Sequence, residues 1–186
     1  MIFCIDCDNV LCNLQDVVIN IFNAKYDKKY TLKTFDKYSI AECLPKEEAM
    51  NMLSIYKEAG IYDLVKPLNG AQNAIKKLIR AGHEVYVVTD SSQCIFEEKS
   101  NWIKYNFPEI DDAHIICMKH KWLLRCDVMI EDNLDNLING HHYDRILIDY
   151  PWNKAHDEAY GIYRVSNWND VLDAVNKIKK VWSDVV

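Results

Sequence analysis

Four apolar residues near the start, Ile2-Phe3-Cys4-Ile5, contain no charge and run directly into Asp6-Cys7-Asp8. A short run without a polar face reads as a strand covered on both sides, the kind found in parallel sheets. Side chains at i and i+2 of an extended chain point the same way, so the two carboxylates converge beyond the strand's C-terminal end. In open α/β sheets that is where ligands bind. Carboxylates this close repel, so a cation or a proton belongs between them, and Mg²⁺ is the hard divalent ion that oxygen ligands suit. The alternative, in which Asp6 and Asp8 only stop the strand and cap a helix, accounts for one aspartate better than for two. Asn9 tolerates the left-handed backbone that a sharp exit from the strand needs.

The rest of the chain alternates helix and strand. Leu14, Val17, Val18, Ile21 and Phe22 recur at three- and four-residue steps, which predicts a helix to about Tyr26. Residues 25–38 are polar and aromatic and read as irregular. Pro45 opens a second helix, 46–59, with Glu47 and Glu48 where the helix dipole favours them and Gly60 at its end. Further helices are expected at 71–81, 95–106, 134–138 and 168–181, and strands at 84–89, 115–117, 127–130 and 145–148. Residues 149–163 read as loop. The expected fold is therefore α/β, a doubly wound parallel sheet, with a small helical cap inserted after the first strand. The core would comprise residues 1–13 and 67–186, and the cap residues 14–66.

A length of 186 residues suits one such domain with a modest insertion. The net charge of −6, with no basic stripe to offset it, argues against a surface that tracks polymeric nucleic acid. No uncharged stretch is long enough to span a bilayer, and no basic residues precede the first apolar run as in a signal peptide. Seven scattered cysteines favour a reducing cytoplasm over a disulfide framework. Cys4 and Cys7 match C-x-x-C on paper, but positions i and i+3 of a strand face opposite sides, so the pair cannot share a metal.

Three more groups fall at predicted strand ends. Thr89-Asp90-Ser91 follows the strongest strand, where hydroxyls and turn amides suit a phosphate. A helix cap made by Asp90 or Ser91 fits the same residues equally well. Lys119 and Lys121 follow the strand at 115–117, placed to neutralise a phosphoryl group. Glu131-Asp132 ends another apolar strand and would face the first acidic pair.

Asp6-x-Asp8, Thr89, Lys121 and Glu131-Asp132, in this order, resemble the four motifs of the haloacid dehalogenase superfamily of phosphotransferases. Pro67-Leu-Asn-Gly-Ala71, Lys99 with Trp102, Lys119-His-Lys121, Val128-Met-Ile-Glu-Asp132, Pro151-Trp-Asn153 and Arg164-Val-Ser-Asn-Trp168 resemble, more narrowly, the 5'(3')-deoxyribonucleotidase family. The resemblance implies a Mg²⁺-dependent phosphomonoesterase acting on nucleoside monophosphates, with deoxy forms preferred. Asp6 would be the nucleophile and Asp8 the general acid and base. Asp6, Asp132 and the Asp8 carbonyl would hold the metal, Glu131 its water shell, and Thr89 and Lys121 the phosphoryl oxygens. Asp90, Ser91, Lys99, Tyr38, Tyr56 and Leu14 would contact substrate. Tyr56 takes the position of a pocket tryptophan, although it is also in register with Met52 and Leu53 as a packing residue. Two departures stand out. Asp90 replaces a usual serine and is expected to turn away from phosphate and cap the next helix or bond to the cap. Asn133 replaces an arginine found in some members. A sugar phosphate as substrate, a phosphoacceptor signalling domain and a nucleotide binder without hydrolysis are the competing readings. Oligomeric state is not fixed by these residues, and a homodimer stays open.

Overall fold

A computed structural model of the chain describes residues 1–140, 142–154 and 161–184. Strands β1 (Ile2–Ile5), β2 (Glu84–Thr89), β3 (Ile115–Cys117), β4 (Val128–Glu131), β5 (Asp144–Ile148) and β6 (Ile162–Val165) form one sheet. Every pairing is parallel, in the order β3-β2-β1-β4-β5-β6. Lateral position explains the composition of the strands. The central β1, and β4 up to Ile130, are apolar without alternation and almost wholly buried, while the edge strands β3 and β6 keep partly exposed residues. From β1 the chain moves outward to β2 and β3, then returns to β4 on the other side. That reversal opens a crevice at the C-terminal ends of β1 and β4, and Asp6 and Asp132 each lie one residue beyond those ends.

Helices α1 (Leu14–Tyr26), α2 (Ile40–Cys43), α3 (Lys46–Ile55), α4 (Ala71–Arg80), α5 (Gln93–Asn106), α6 (Leu134–Ile138) and α7 (Trp168–Asp184) complete the fold. The larger core packs Phe3, Ile5, Val85, Val87, Ile130 and Ile146 against Val18 of α1, Ile75 of α4, Ile103 of α5 and Val175 of α7. A smaller layer on the other face joins Cys4, Val88, Met129 and Leu147 to Leu137 and Tyr143. Cys4 and Cys7 fall in different layers, as strand periodicity requires, and all seven cysteines are free. Between residues 14 and 66 the described chain has helices and short 3-10 turns but no strand, and α1 packs on α3.

The structure corrects the sequence reading at several boundaries. The helix expected over 46–59 is α3 and stops at Ile55, and turns lead into Gly60, whose φ of +82° reverses the chain. The supposed loop 149–163 contains a turn at Pro151–Asn153, and β6 begins within it at Ile162. Residues 155–160 of that expected loop lie outside the described residues. Helix α5 begins two residues early, at Gln93, with Ser92 in the N-cap position.

Candidate active site

The loop after β1 is wound tightly. The Cys7 carbonyl accepts from the amides of Val10, Leu11 and Cys12, and Asn9 has a φ of 58°, the left-handed conformation expected for it. The Trp168 indole donates to the Val10 carbonyl at 2.9 Å and pins this loop to α7. Asn9 fastens the loop to the second acidic strand end. Its Nδ2 donates to Asp132 at 3.3 Å, and its Oδ1 accepts from the Gln15 amide at 3.0 Å.

Asp6, Glu131 and Asp132 bring carboxylate oxygens within 4.8 Å of one another, and all three residues are buried. Lys121, also buried, bridges two of them, at 2.6 Å to Asp6 and 2.7 Å to Glu131. Burial raises the Asp6 carboxyl above its ordinary range, opposed by Lys121 and reinforced by Asp8. It pushes Glu131 up to about 7, against the pull of Lys121. Asp132 is also raised well above its ordinary range, by burial and then by the charges of Asp6 and Glu131. Burial disfavours the Lys121 charge as well, yet Asp6 and Glu131 outweigh it and hold the ammonium firmly protonated. Glu131 is thus the anchor of Lys121, and its Oε1 also accepts from Asn136 at 3.1 Å.

Asp8 has a separate set of partners. Its Oδ2 pairs with Lys99 at 2.8 Å and its Oδ1 accepts from the Tyr62 hydroxyl at 2.6 Å. Lys99 is buried and donates further to Thr89 Oγ1 and the Asp90 carbonyl, both at 2.9 Å.

A cavity of about 730 Å³ opens over these groups. Asp6, Asp8, Thr89, Lys121 and Asp132 contribute to its wall. Phe35, Tyr38, Ile40, Leu53 and Tyr56 supply an apolar, aromatic side from the helical segment. Lys119, His120, Asn133, Asp135 and Asn139 supply a polar one. The Tyr56 hydroxyl donates to Gln15 Oε1.

Three of the expected substrate contacts fall outside this wall. Leu14 is buried in the core, and its neighbour Gln15 lines the cavity instead. Ser91 turns its hydroxyl onto the Ser92 carbonyl. Lys99 stands behind Asp8 and Thr89 with its ammonium engaged by both. Asp90 does not cap α5, because Ser92 takes that position; it is exposed on the cavity wall and meets Lys99 through its carbonyl.

Sequence reasoning also missed Tyr62, and it quoted Asn153 only as part of a motif, without a role. The Asn153 side chain is saturated. Its Nδ2 donates to the Asp132 and Ile148 carbonyls, both at 2.8 Å, and its Oδ1 accepts from the Tyr150 amide and from Arg164. Arg164 also binds Asp149 at 2.6 Å. Asn153→Ala would leave two carbonyls and an amide unpaired in the interior, at about 1–3 kcal/mol for each lost partner. A fall in Tm of roughly 6–12 °C is expected for a total near 3 kcal/mol, read by thermal unfolding. An unchanged Tm would mean that other groups hold the Asp132 loop.

A family model described as "5' nucleotidase, deoxy (Pyrimidine), cytosolic type C protein" matches residues 1–181. The 5'(3')-deoxyribonucleotidase of Bacillus subtilis strain 168 is 27% identical over 178 residues, covering 91% of this chain and 95% of the relative. That of Clostridium acetobutylicum is 26% identical over 175 residues, covering 94% of each. Among solved structures, a haloacid dehalogenase-like hydrolase from Streptococcus pneumoniae superposes with a TM-score of 0.67 at 16% identity, covering 94% of this chain and 97% of the other.

Proposed function

Since the chain belongs to the 5' nucleotidase, deoxy (Pyrimidine), cytosolic type C family, and is thus a hydrolase of phosphoric monoesters, we propose that it releases phosphate from nucleoside monophosphates through an aspartyl-phosphate on Asp6. The observation that carries this reading is the meeting of Asp6, Asp8, Thr89, Lys121 and Asp132 on the wall of one cavity with an aromatic side.

In the first step an Asp6 oxygen bonds to phosphorus while the bond to the leaving oxygen breaks, and Asp8 gives that oxygen a proton. In the second, water bonds to phosphorus, its proton passes to Asp8, and the Asp6–phosphorus linkage breaks. Lys121 and the Thr89 hydroxyl are placed to hold the equatorial oxygens.

The acidic group fits Mg²⁺. Asp6, Glu131 and Asp132 offer only oxygen, and Lys121 offsets one of their three formal charges, so two remain in a buried space. Asp6, Asp132 and the Asp8 carbonyl would hold the ion, which when bound offsets charge on the transferring phosphoryl group.

The test is phosphate release from deoxy- and ribonucleoside monophosphates and from sugar phosphates. Chelation is expected to abolish turnover and Mg²⁺ to restore it; full activity in excess chelator would remove the metal from the account. Nucleotides are expected to lead the panel, and a sugar phosphate ahead of them all would contradict the substrate class. Base–aromatic stacking is worth about 1–3 kcal/mol, so Tyr56→Ala should lower kcat/KM for a nucleotide by roughly 5- to 150-fold. Acetyl phosphate should lose far less. Equal losses on both, with a lowered Tm, would make Tyr56 a packing residue.

A further inference from the structure

Tyr62 comes to Asp8 from 54 positions away, on the 3-10 turn Ile61–Asp63 that leads from the helical segment back towards the sheet. The turn is tied to α5. Glu98 accepts from the Gly60 amide at 3.0 Å and from the Tyr62 amide at 2.6 Å, one oxygen for each. Four residues along the same helix, the Trp102 indole donates to the Val65 carbonyl at 3.0 Å. The Trp102 ring also packs against the Tyr62 ring, with centroids 6.1 Å apart. Tyr62 is 3% exposed, so its hydroxyl has little freedom to point elsewhere.

One short stretch of α5 therefore places two partners of Asp8, Lys99 by direct contact and Tyr62 through Glu98, while the Cys12 thiol makes a long contact of 3.8 Å to the same Oδ1. Without Tyr62 the carboxylate would keep one strong contact, Lys99, and only the weak thiol donor of Cys12 on its other oxygen. A second hydrogen bond on the other oxygen fixes its plane. Proton transfer requires the carboxylate within hydrogen-bond reach of the leaving oxygen, about 2.6–3.2 Å, and a pivoting group meets that condition only part of the time.

We propose that Tyr62 is a positioning residue for proton transfer, with Glu98 as its anchor, and that it orients the Asp8 carboxylate towards the leaving oxygen. The inference rests on the reading of Asp8 as acid and then base. The step that Tyr62 serves is cleavage of the bond between phosphorus and the leaving oxygen, in which the proton on Asp8 moves to that oxygen.

Leaving-group chemistry tests this. A nucleoside leaves as an alkoxide and needs the proton; 2,4-dinitrophenol leaves as a stable anion and does not. Tyr62→Phe removes one hydroxyl and keeps the ring. It is expected to lower the rate of the first leaving-group release, measured in a single turnover before water attacks the aspartyl-phosphate, by about 10- to 100-fold for a deoxynucleoside monophosphate, part of the 10²–10⁴ that general acid catalysis contributes. Nucleotide binding should stay within about twofold, as expected when only transition-state stabilisation is lost, and the same first-turnover rate for 2,4-dinitrophenyl phosphate should hold. Equal losses on both substrates, or no loss on the nucleotide, would overturn the proposal. Should Tyr62→Phe fail to fold, Glu98→Gln carries the test, since it removes one of the two acceptors that hold the turn, and the same selective loss is expected at smaller size. Asp8→Asn separates the layers of the argument. In the same first-turnover measurement, a selective loss there without one in Tyr62→Phe refutes the positioning role alone, whereas equal losses on both substrates in Asp8→Asn refute the acid reading and the proposal with it.

Discussion

Replacing Asp6 with asparagine is expected to lower phosphate release by about 10⁴- to 10⁶-fold, the scale seen when a covalent nucleophile is removed. An amide has the shape of the carboxylate but cannot attack phosphorus or form the acyl-phosphate. Stability should move the other way or hardly at all. Burial and the Asp8 charge already disfavour the ionised carboxyl at position 6, and Asp132 stands close by. A neutral amide relieves that repulsion while Lys121 keeps Glu131 as its partner. An inactive protein with an undiminished Tm is the expected result. Wild-type turnover in Asp6→Asn would end the assignment of the nucleophile.

Lys121→Met should damage both activity and stability. The ammonium bridges Asp6 and Glu131 in a space where all three residues are buried, and methionine keeps much of the side-chain length without the charge. Removing one partner of a buried ion pair costs about 3–5 kcal/mol, because the charge left behind is uncompensated. Loss of a donor to the phosphoryl oxygens should cost a further factor of about 10²–10³ in kcat. The stability loss should depend on pH. Glu131 already titrates at about 7 in the folded chain against an ordinary 4.5, and without the lysine its value and that of Asp6 rise further. Carboxyls raised in this way bind more protons folded than unfolded, so their contribution falls as pH climbs from 4.5 through 7 and beyond. The variant, assayed without added metal, should therefore lose Tm steadily across that window relative to wild type. A pH-independent loss would show that Lys121 matters only through packing.

What was legible in the sequence follows from how local each signal is. Buried central strands are uninterrupted apolar runs, so β1, β2 and β4 could be read directly, and with them the carboxylates that end two of them. Strand β6 escaped because Arg164 sits in the middle of it, next to polar sequence. The reason is visible in three dimensions, where the guanidinium reaches Asp149 and Asn153. The order Asp6-x-Asp8, Thr89, Lys121, Asp132 identified groups that do share one cavity. Their mutual pairing was not legible. Nothing local in Glu131 marks it as the anchor of Lys121. Nothing in Lys99 or Tyr62 announces that each takes one oxygen of Asp8 across 91 and 54 residues. Leu14 and Gln15 show the same limit at single-residue scale, since helical periodicity finds the helix but does not say which neighbour faces the cavity.

The claim on which the account turns is that the phosphoryl group passes through Asp6. Asp8→Asn, slow to release the group by water, is the protein in which that intermediate should accumulate. After brief incubation with a deoxynucleoside monophosphate and Mg²⁺, acid quenching and borohydride reduction would convert a phosphorylated aspartate to homoserine. Peptide sequencing by mass spectrometry is then expected to find homoserine at position 6 and not at position 132. Reduction at another carboxylate, or phosphate release with no modified residue at any time during turnover, would contradict it.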